Sequence, residues 1–389
     1  MLDKPRLLTP GPTPTPERVR LAMAQDMIHH RKPAFKAIMA AVQPKLRELF
    51  GTAQPVLPMA CTGSGVMTAA VHGLFKAGEK VIVIEGGKFG QRWREIAAVR
   101  GLTVVSVVVD WGRPVTPAEV EAALNEHPDA AGVLVQLSET STGTLHPVRE
   151  IARLTAGRDT LLVADGISAV SISPCPMDEW GIDCLLTGSQ KGLMLPPGLA
   201  LIALSERAWR KADTVPPSCF YFNFRGELAN LEKQQTLFTT PVSLIIGLNE
   251  SLDMFREVGL DTVYRKQWAL TQMARRGVAA MGLEPLVKEG YTWGLTSVLL
   301  PEGVPATGVL RVAAERYGVI MAAGQDHLKE RIIRIGHMGW LDWADLAAGL
   351  HALAEGFRAC GGYIGARDVL EQALAAYQAG LAVAPGTEI

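Results

Sequence analysis

Residues 161–194, LLVADGISAVSISPCPMDEWGIDCLLTGSQKGLM, decide how the rest of the chain is read. Two apolar runs, 161–164 and 184–186, are short and read as buried strands. Each ends in polar residues: Asp165 after the first, and Thr187-Gly188-Ser189-Gln190-Lys191 after the second. Ligands of open α/β sheets sit beyond the carboxyl ends of the strands. An acid and a lysine at neighbouring strand ends are therefore placed to share one ligand. Pyridoxal phosphate (PLP) suits such a pair: an amine condenses with its aldehyde, and an acid keeps its ring nitrogen protonated.

Working outward, a short strand in the stretch 55–75 leads to Thr62-Gly63-Ser64-Gly65, where a helix begins. Glycines and a serine before a helix N-terminus expose N–H groups that suit a phosphate. The alternative is a glycine turn that packs a helix on a sheet. The turn is not a Walker A loop, since no GK[ST] follows, and Thr68 replaces the third glycine of a dinucleotide fingerprint. A strand at 80–84 precedes Phe89, an aromatic just past a strand end, which is placed to stack on a flat cofactor or to join the core. Helices at 91–100, 117–125 and 148–157 alternate with strands at 104–109 and 131–137. The last strand runs into Ser138-Glu139-Thr140-Ser141-Thr142-Gly143, whose hydroxyls suit an anion or ordinary turn chemistry. Alternation of this kind from 55 to 205 predicts βαβ units in a mainly parallel sheet.

Beyond a strand at 199–204 the pattern changes. Residues 213–240 are irregular and aromatic, and helices follow at 242–257 and 260–281. Strand-like pieces at 296–300, 319–321 and 331–335, with helices between, predict a smaller α+β domain. Arg334 alternates with Ile333 and Ile335 and so faces the other side of its strand, as an edge residue or a carboxylate clamp. An alanine-rich helix is expected in 364–389. The expected division is an N-terminal arm (1–20), a large domain (21–257) and a small domain (258–389).

The 389 residues exceed what a single core of about 250–300 residues holds. A net charge of -1 provides no field for nucleic acid or anionic membrane. The five cysteines, Cys61, Cys175, Cys184, Cys219 and Cys360, are odd in number and show no CxxC, which argues against a disulfide framework or zinc site. No metal site is expected: His29-His30 lacks further ligands and reads as a loop hydrogen-bonding pair. The start of the chain lacks a signal-peptide core, and its end, Thr-Glu-Ile, is not a peroxisomal tag, so a cytoplasmic protein is expected. Around Pro10-Gly11-Pro12 the arm should be extended on the surface, with the Gly11 N–H open to a ligand.

With these stretches in place, the chain resembles class V PLP-dependent aminotransferases of fold type I, in particular the alanine/serine–glyoxylate (serine–pyruvate) group. The marks are Pro10-Gly11-Pro12, His30-Arg31, Gly63-Ser64-Gly65, Gly90-Gln91-Arg92, residues 139–143, Asp165-Gly166, Gly188-Ser189-Gln190-Lys191, Thr239-Thr240-Pro241 and Arg334-Ile335-Gly336. The resemblance implies an α/β fold with a mainly parallel, seven-stranded-type sheet and a smaller C-terminal domain. It also implies that Lys191 forms the internal aldimine, Asp165 pairs with the ring nitrogen and Ile167 packs under the ring. Phe89 would stack above, where relatives often carry tryptophan. Ser64, Gly65, Val66 and Gln190 would hold the phosphate. Thr239 would reach it from a neighbouring subunit, making a homodimer with a shared site. Thr236 stands where relatives often have tyrosine. Arg334, with Gly11 and Thr140, would bind the substrate carboxylate.

The activity implied is ping-pong transamination of alanine or serine with glyoxylate or pyruvate, Lys191 moving the proton. Rivals on the same scaffold are a transaminase for ureido or phosphonate amino acids and a PLP lyase or desulfurase. A desulfurase needs a mobile nucleophilic cysteine, and none of the five lies in an obvious mobile loop of the small domain. A NAD-binding oxidoreductase and a non-catalytic protein on this fold are further alternatives.

Overall fold

The computed structural model describes residues 4–387. The last two residues of the Thr-Glu-Ile terminus, and the first three of the chain, lie outside them. A seven-stranded sheet forms the larger lobe. In spatial order its strands are Val56–Met59, Ala200–Leu204, Cys184–Gly188, Leu161–Asp165, Gly132–Gln136, Lys80–Glu85 and Thr103–Val108. Ala200–Leu204 runs antiparallel to both neighbours, and the other neighbouring pairs are parallel. The strands 161–165, 184–188 and 200–204 are buried at every position, because helices cover both faces. That double burial is why these segments are continuous apolar runs rather than alternating ones.

The connecting helices carry their own start signals. Pro117–Glu126 opens with a capping box between Thr116 and Glu119. Glu206–Thr214 is capped by the Ser205 hydroxyl. The 18-residue helix Pro33–Phe50 ends at Gly51 in the left-handed region (φ 59°). The stretch read as irregular, 213–240, contains a helix, Phe224–Leu231, capped by the Asn223 carboxamide. Its aromatic residues obscure the helical period, and tertiary packing of Phe224 into the large core decides the matter.

A second core lies behind a four-stranded antiparallel sheet ordered Glu284–Pro285, Leu295–Leu299, Ile332–Gly336 and Ala322–Ala323. Helices Leu260–Ala280, Ala306–Tyr317, Trp343–Ala359 and Val369–Ala382 pack on it. Ile333 and Ile335 point into this core, whereas Arg334 between them does not.

The N-terminal arm departs from the surface segment expected. Arg6–Leu7 pairs in parallel with Val319–Ile320, and Leu8 is fully buried in the second core. An apolar Leu at that position gains more from burial than from solvent. The arm then crosses to the large lobe, where the Thr13 N–H donates to the Gln190 carbonyl at 3.1 Å.

Candidate active site

Four parallel strands end at one rim: Val56–Met59, Lys80–Glu85, Leu161–Asp165 and Cys184–Gly188. The loops leaving that rim enclose a cavity of about 300 Å³. Gly11, Ser64, Phe89, Thr140, Asp165, Ile167, Gln190 and Lys191 all line it. These residues span 181 positions of sequence, so only the fold brings them together.

Lys191 sits on the turn after its strand, 9% exposed. Its ammonium donates to the Pro10 carbonyl. The arm fixes the turn further, since the Thr13 hydroxyl donates to the Lys191 carbonyl at 2.9 Å. Burial, and then the nearby Arg334 charge, lower the Lys191 pKa to about 8, against a smaller upward pull from Asp165. Asp165, 4% exposed, accepts the Ile167 N–H at 2.8 Å. Burial drives its pKa up to about 7; the Ile167 hydrogen bond opposes this, and the Glu139 charge adds to it. A buried carboxyl with one hydrogen bond is a site that a cationic partner would stabilise.

The helix Gly63–Leu74 begins at the cavity. Its first helical bond runs from the Val66 N–H to the Thr62 carbonyl at 3.1 Å. The N–H groups of Gly63, Ser64 and Gly65 precede that bond and carry no helical partner. Val66 is therefore placed differently from the phosphate-holding role implied for it: its N–H is committed to the helix, and its side chain is fully buried in the large core. Gly63 takes its place at the cavity wall, where a Cβ would come 2.6 Å from Ile167 Cδ1.

Arg92 is a further wall residue that the sequence marked only as part of a motif. It lies one helical turn past Phe89, donates to the Ser64 hydroxyl at 3.0 Å and stands 4.8 Å from the Phe89 ring centre. The i,i+3 spacing from Phe89 was the available signal. Ser168 also lines the cavity, its hydroxyl 2.7 Å from that of Thr140.

Arg334 reaches the edge of this group from the second lobe. Its Nε donates to the Ala323 carbonyl at 2.9 Å and its Nη1 to the Thr140 carbonyl at 3.0 Å. Thr239 is exposed and lies away from the cavity of its own chain. The Thr236 hydroxyl donates to the Phe238 carbonyl at 2.8 Å. Arg31 ties the same loop down, donating to Gln235 Oε1 at 2.7 Å and to the Leu237 carbonyl at 3.0 Å. His29 and His30 stack at 4.7 Å, and His29 Nδ1 accepts the Arg31 N–H, a loop role. Among the described residues, no group of three or more His, Cys, Asp or Glu side chains gathers as a metal site. None of the described helices is long and apolar enough to cross a membrane.

The residues present fit PLP. The free N–H groups at Gly63–Gly65, with Ser64 and Arg92, form an anion cradle. Phe89 and Ile167 supply apolar walls for a ring, and Gln190 Oε1 is buried without a partner among the described residues. A lysine with a lowered pKa and an uncompensated carboxyl face the same space. Fold and site together define a fold type I PLP enzyme.

Residues 7–336 match the family described as Aminotransferase class-V, and the chain belongs to that family. The serine–glyoxylate aminotransferase of Methylorubrum extorquens is 32% identical over 348 residues, covering 86% of this chain and 87% of its own. A protein of Synechococcus sp. named soluble hydrogenase, small subunit, is 35% identical, covering 91% of this chain and 93% of its own. The crystal structure of pyridoxamine–pyruvate aminotransferase from Mesorhizobium loti superposes with a TM-score of 0.93 at 26% identity, covering 97% of this chain and 98% of its own. The chain is accordingly a PLP-dependent aminotransferase.

Proposed function

We propose that this aminotransferase moves the amino group of a small amino acid, alanine or serine, to glyoxylate or pyruvate. The observation that carries the reading is the meeting of Lys191, Asp165 and the Arg334–Thr140 contact around one cavity of about 300 Å³. That volume, once shared with a cofactor ring, leaves room for a short side chain. The name of one relative, serine–glyoxylate aminotransferase, supports serine and glyoxylate, and that of a structural neighbour, pyridoxamine–pyruvate aminotransferase, supports pyruvate as the acceptor.

PLP, when bound, supplies an aldehyde for amine exchange and a ring that accepts electrons from Cα. The chain's own residues do the rest. Gly63, Ser64, Gly65, Gln190 and Arg92 would hold the phosphate. Phe89 and Ile167 would confine the ring, and Asp165 would hold a proton on its nitrogen. Lys191, its pKa lowered to about 8 by burial, would be the amine that meets the aldehyde, and its Nζ would take the proton from Cα and return it. Arg334 has Nη2 left over after serving Ala323 and Thr140, and offers it to the substrate carboxylate. Gly11 and Thr140 border the same position. Thr239, exposed on its own chain, serves the phosphate of a second copy, so that the homodimer completes two sites.

A panel of amino donors against glyoxylate and pyruvate, followed by the cofactor's absorption, tests the assignment. Alanine or serine should give the highest kcat/KM. A bulkier or acidic donor at the head of the ranking would overturn it.

A further inference from the structure

The Glu139 carboxylate is fully buried, yet it touches neither the cavity nor a basic side chain. Its Oε2 accepts the N–H groups of Phe89 at 3.1 Å and Gly90 at 3.0 Å. Its Oε1 accepts the Ser141 N–H at 3.1 Å and the Ser141 hydroxyl at 2.5 Å. The Ser141 hydroxyl in turn accepts the Lys88 N–H at 3.0 Å. Lys88, Phe89 and Gly90 open the helix Lys88–Val99, whose own N-cap, Gly87, has no side chain to cap it. All three orphan N–H groups of that first turn are thus satisfied from 50 residues away. Burial pushes the Glu139 pKa up, while the hydrogen bonds from Ser141, Gly90 and Phe89 pull it down, and the dipole of the helix favours a negative group at its N-terminus.

Gly87 is what allows the approach, since a Cβ there would lie 2.4 Å from Glu139 Cγ and Cδ. The carboxylate also clamps its own strap. By holding Ser141 it shapes residues 139–141 so that the Thr140 carbonyl points at Arg334 and the Thr140 hydroxyl at Ser168. One buried group therefore touches both the segment that carries the Phe89 ring and the segment that seats Arg334.

We propose that Glu139 is a positioning residue that sets the Phe89 ring and the Arg334 clamp together, so that cofactor and substrate carboxylate are held in one fixed relation. The proposal rests on the roles given above to Phe89 and Arg334. Its logic is geometric: four donors converge on two oxygens that only accept when ionised. A carboxamide of the same size must turn an NH₂ towards one of the two donor pairs.

Glu139→Gln tests it. The dissociation constant of PLP from the cofactor-free protein, read by quenching of tryptophan fluorescence, should rise by about tenfold, the effect of losing hydrogen bonds to a charged group. The amino-donor KM should rise with it, and the circular dichroism of the bound cofactor should weaken as the ring loses its fixed wall. Ser141→Ala keeps the carboxylate and removes one donor and the acceptor of the Lys88 N–H. It should move all three readouts the same way by less, and it carries the test if the glutamine variant does not fold. Values within twofold of the parent for both PLP binding and KM in a folded variant would overturn the proposal, even with a lower Tm, because a merely structural residue behaves that way. Phe89→Leu and Arg334→Lys serve as controls. If the first leaves PLP binding unchanged and the second leaves KM unchanged, the underlying roles fail. If both controls respond and Glu139→Gln does not, only the role of Glu139 fails.

Discussion

The side-chain amine of Lys191 donates to the backbone carbonyl of Pro10, 181 residues upstream. The proposed reactive group of the large lobe is thus held by an arm whose preceding residues, Arg6 to Leu8, belong to the other lobe. The amine is parked against a neutral acceptor, not an anion, which leaves the lowering of its pKa by burial largely intact.

Gly11 is the tightest point of that contact. Its φ is +118°, and a Cβ there would stand 2.5–2.7 Å from Lys191 Cδ, Cε and Nζ. Gly11→Ala is expected to destabilise the protein by about 1–3 kcal/mol through backbone strain. It should also lower kcat/KM by displacing the amine. Urea unfolding and steady-state kinetics measure the two effects separately.

Lys191→Ala should lose transamination by roughly 10³-fold or more, the range for a general acid–base group, and borohydride should no longer fix cofactor to the chain. Asp165→Asn should fold, because its carboxamide oxygen can still accept the Ile167 N–H, yet lose most activity. Normal turnover in either variant would remove that residue from the chemistry.

Arg334→Lys retains the charge and loses the planar fork. An increase in amino-donor KM of about tenfold or more is expected, with the same direction for every α-amino acid tested. A KM unchanged across donors would place the carboxylate elsewhere.

Two shifted groups give the cofactor-free protein an unusual response to pH. The Lys191 amine stands at about 8 instead of 10.5, so the unfolded chain binds more protons than the folded one between those values. Its contribution to stability therefore rises with pH across that window. Asp165 stands at about 7 instead of 3.8, so the folded chain binds more protons there, and its contribution falls as pH rises from 3.8 to 7. Unfolding of the cofactor-free protein at pH 7.5 and 10.5 should show Lys191→Met stabilised relative to the parent at the lower pH, with the gain vanishing at the higher. The rate of PLP capture by the parent should climb through pH 8.

Thr239 offers a test of subunit sharing. In the proposed homodimer, chains carrying Lys191→Ala and chains carrying Thr239→Ala should each be impaired when paired with themselves. If Thr239 serves the neighbour's site, a mixed dimer holds one site with both defects and one with neither. The mixed dimer, purified from co-expressed chains by two different tags, should then recover about half of the parent activity; no recovery would confine Thr239 to its own chain.

The large lobe was readable because its central parallel strands are buried on both faces, which leaves unbroken apolar runs such as 161–164 with polar residues at the exit. Asp165 and Lys191 follow from that rule alone. Arg334 was readable as a strand residue facing away from Ile333 and Ile335, and the structure adds the partner, Thr140. The helix Phe224–Leu231 was not readable, because clustered aromatics hide a 3.6-residue period and a half-buried surface decides it. Val66 illustrates a different limit. Motif position alone does not say which N–H is the first to enter the helical ladder, and here it is Val66's own. The Pro10–Lys191 and Glu139–Phe89 contacts join distant segments, so no local pattern announces them.

The pairing of Arg6–Leu7 with Val319–Ile320 also bears on how the molecule is made. Synthesis proceeds from the N-terminus, so the arm leaves the ribosome first and must wait for a partner more than 300 residues behind it. Until then Pro10 is held from one side only, by the bonds of Thr13 to Gln190 and Lys191. The nascent large lobe can collapse around its sheet, but a catalytically competent pocket belongs only to a chain whose translation has passed the second lobe.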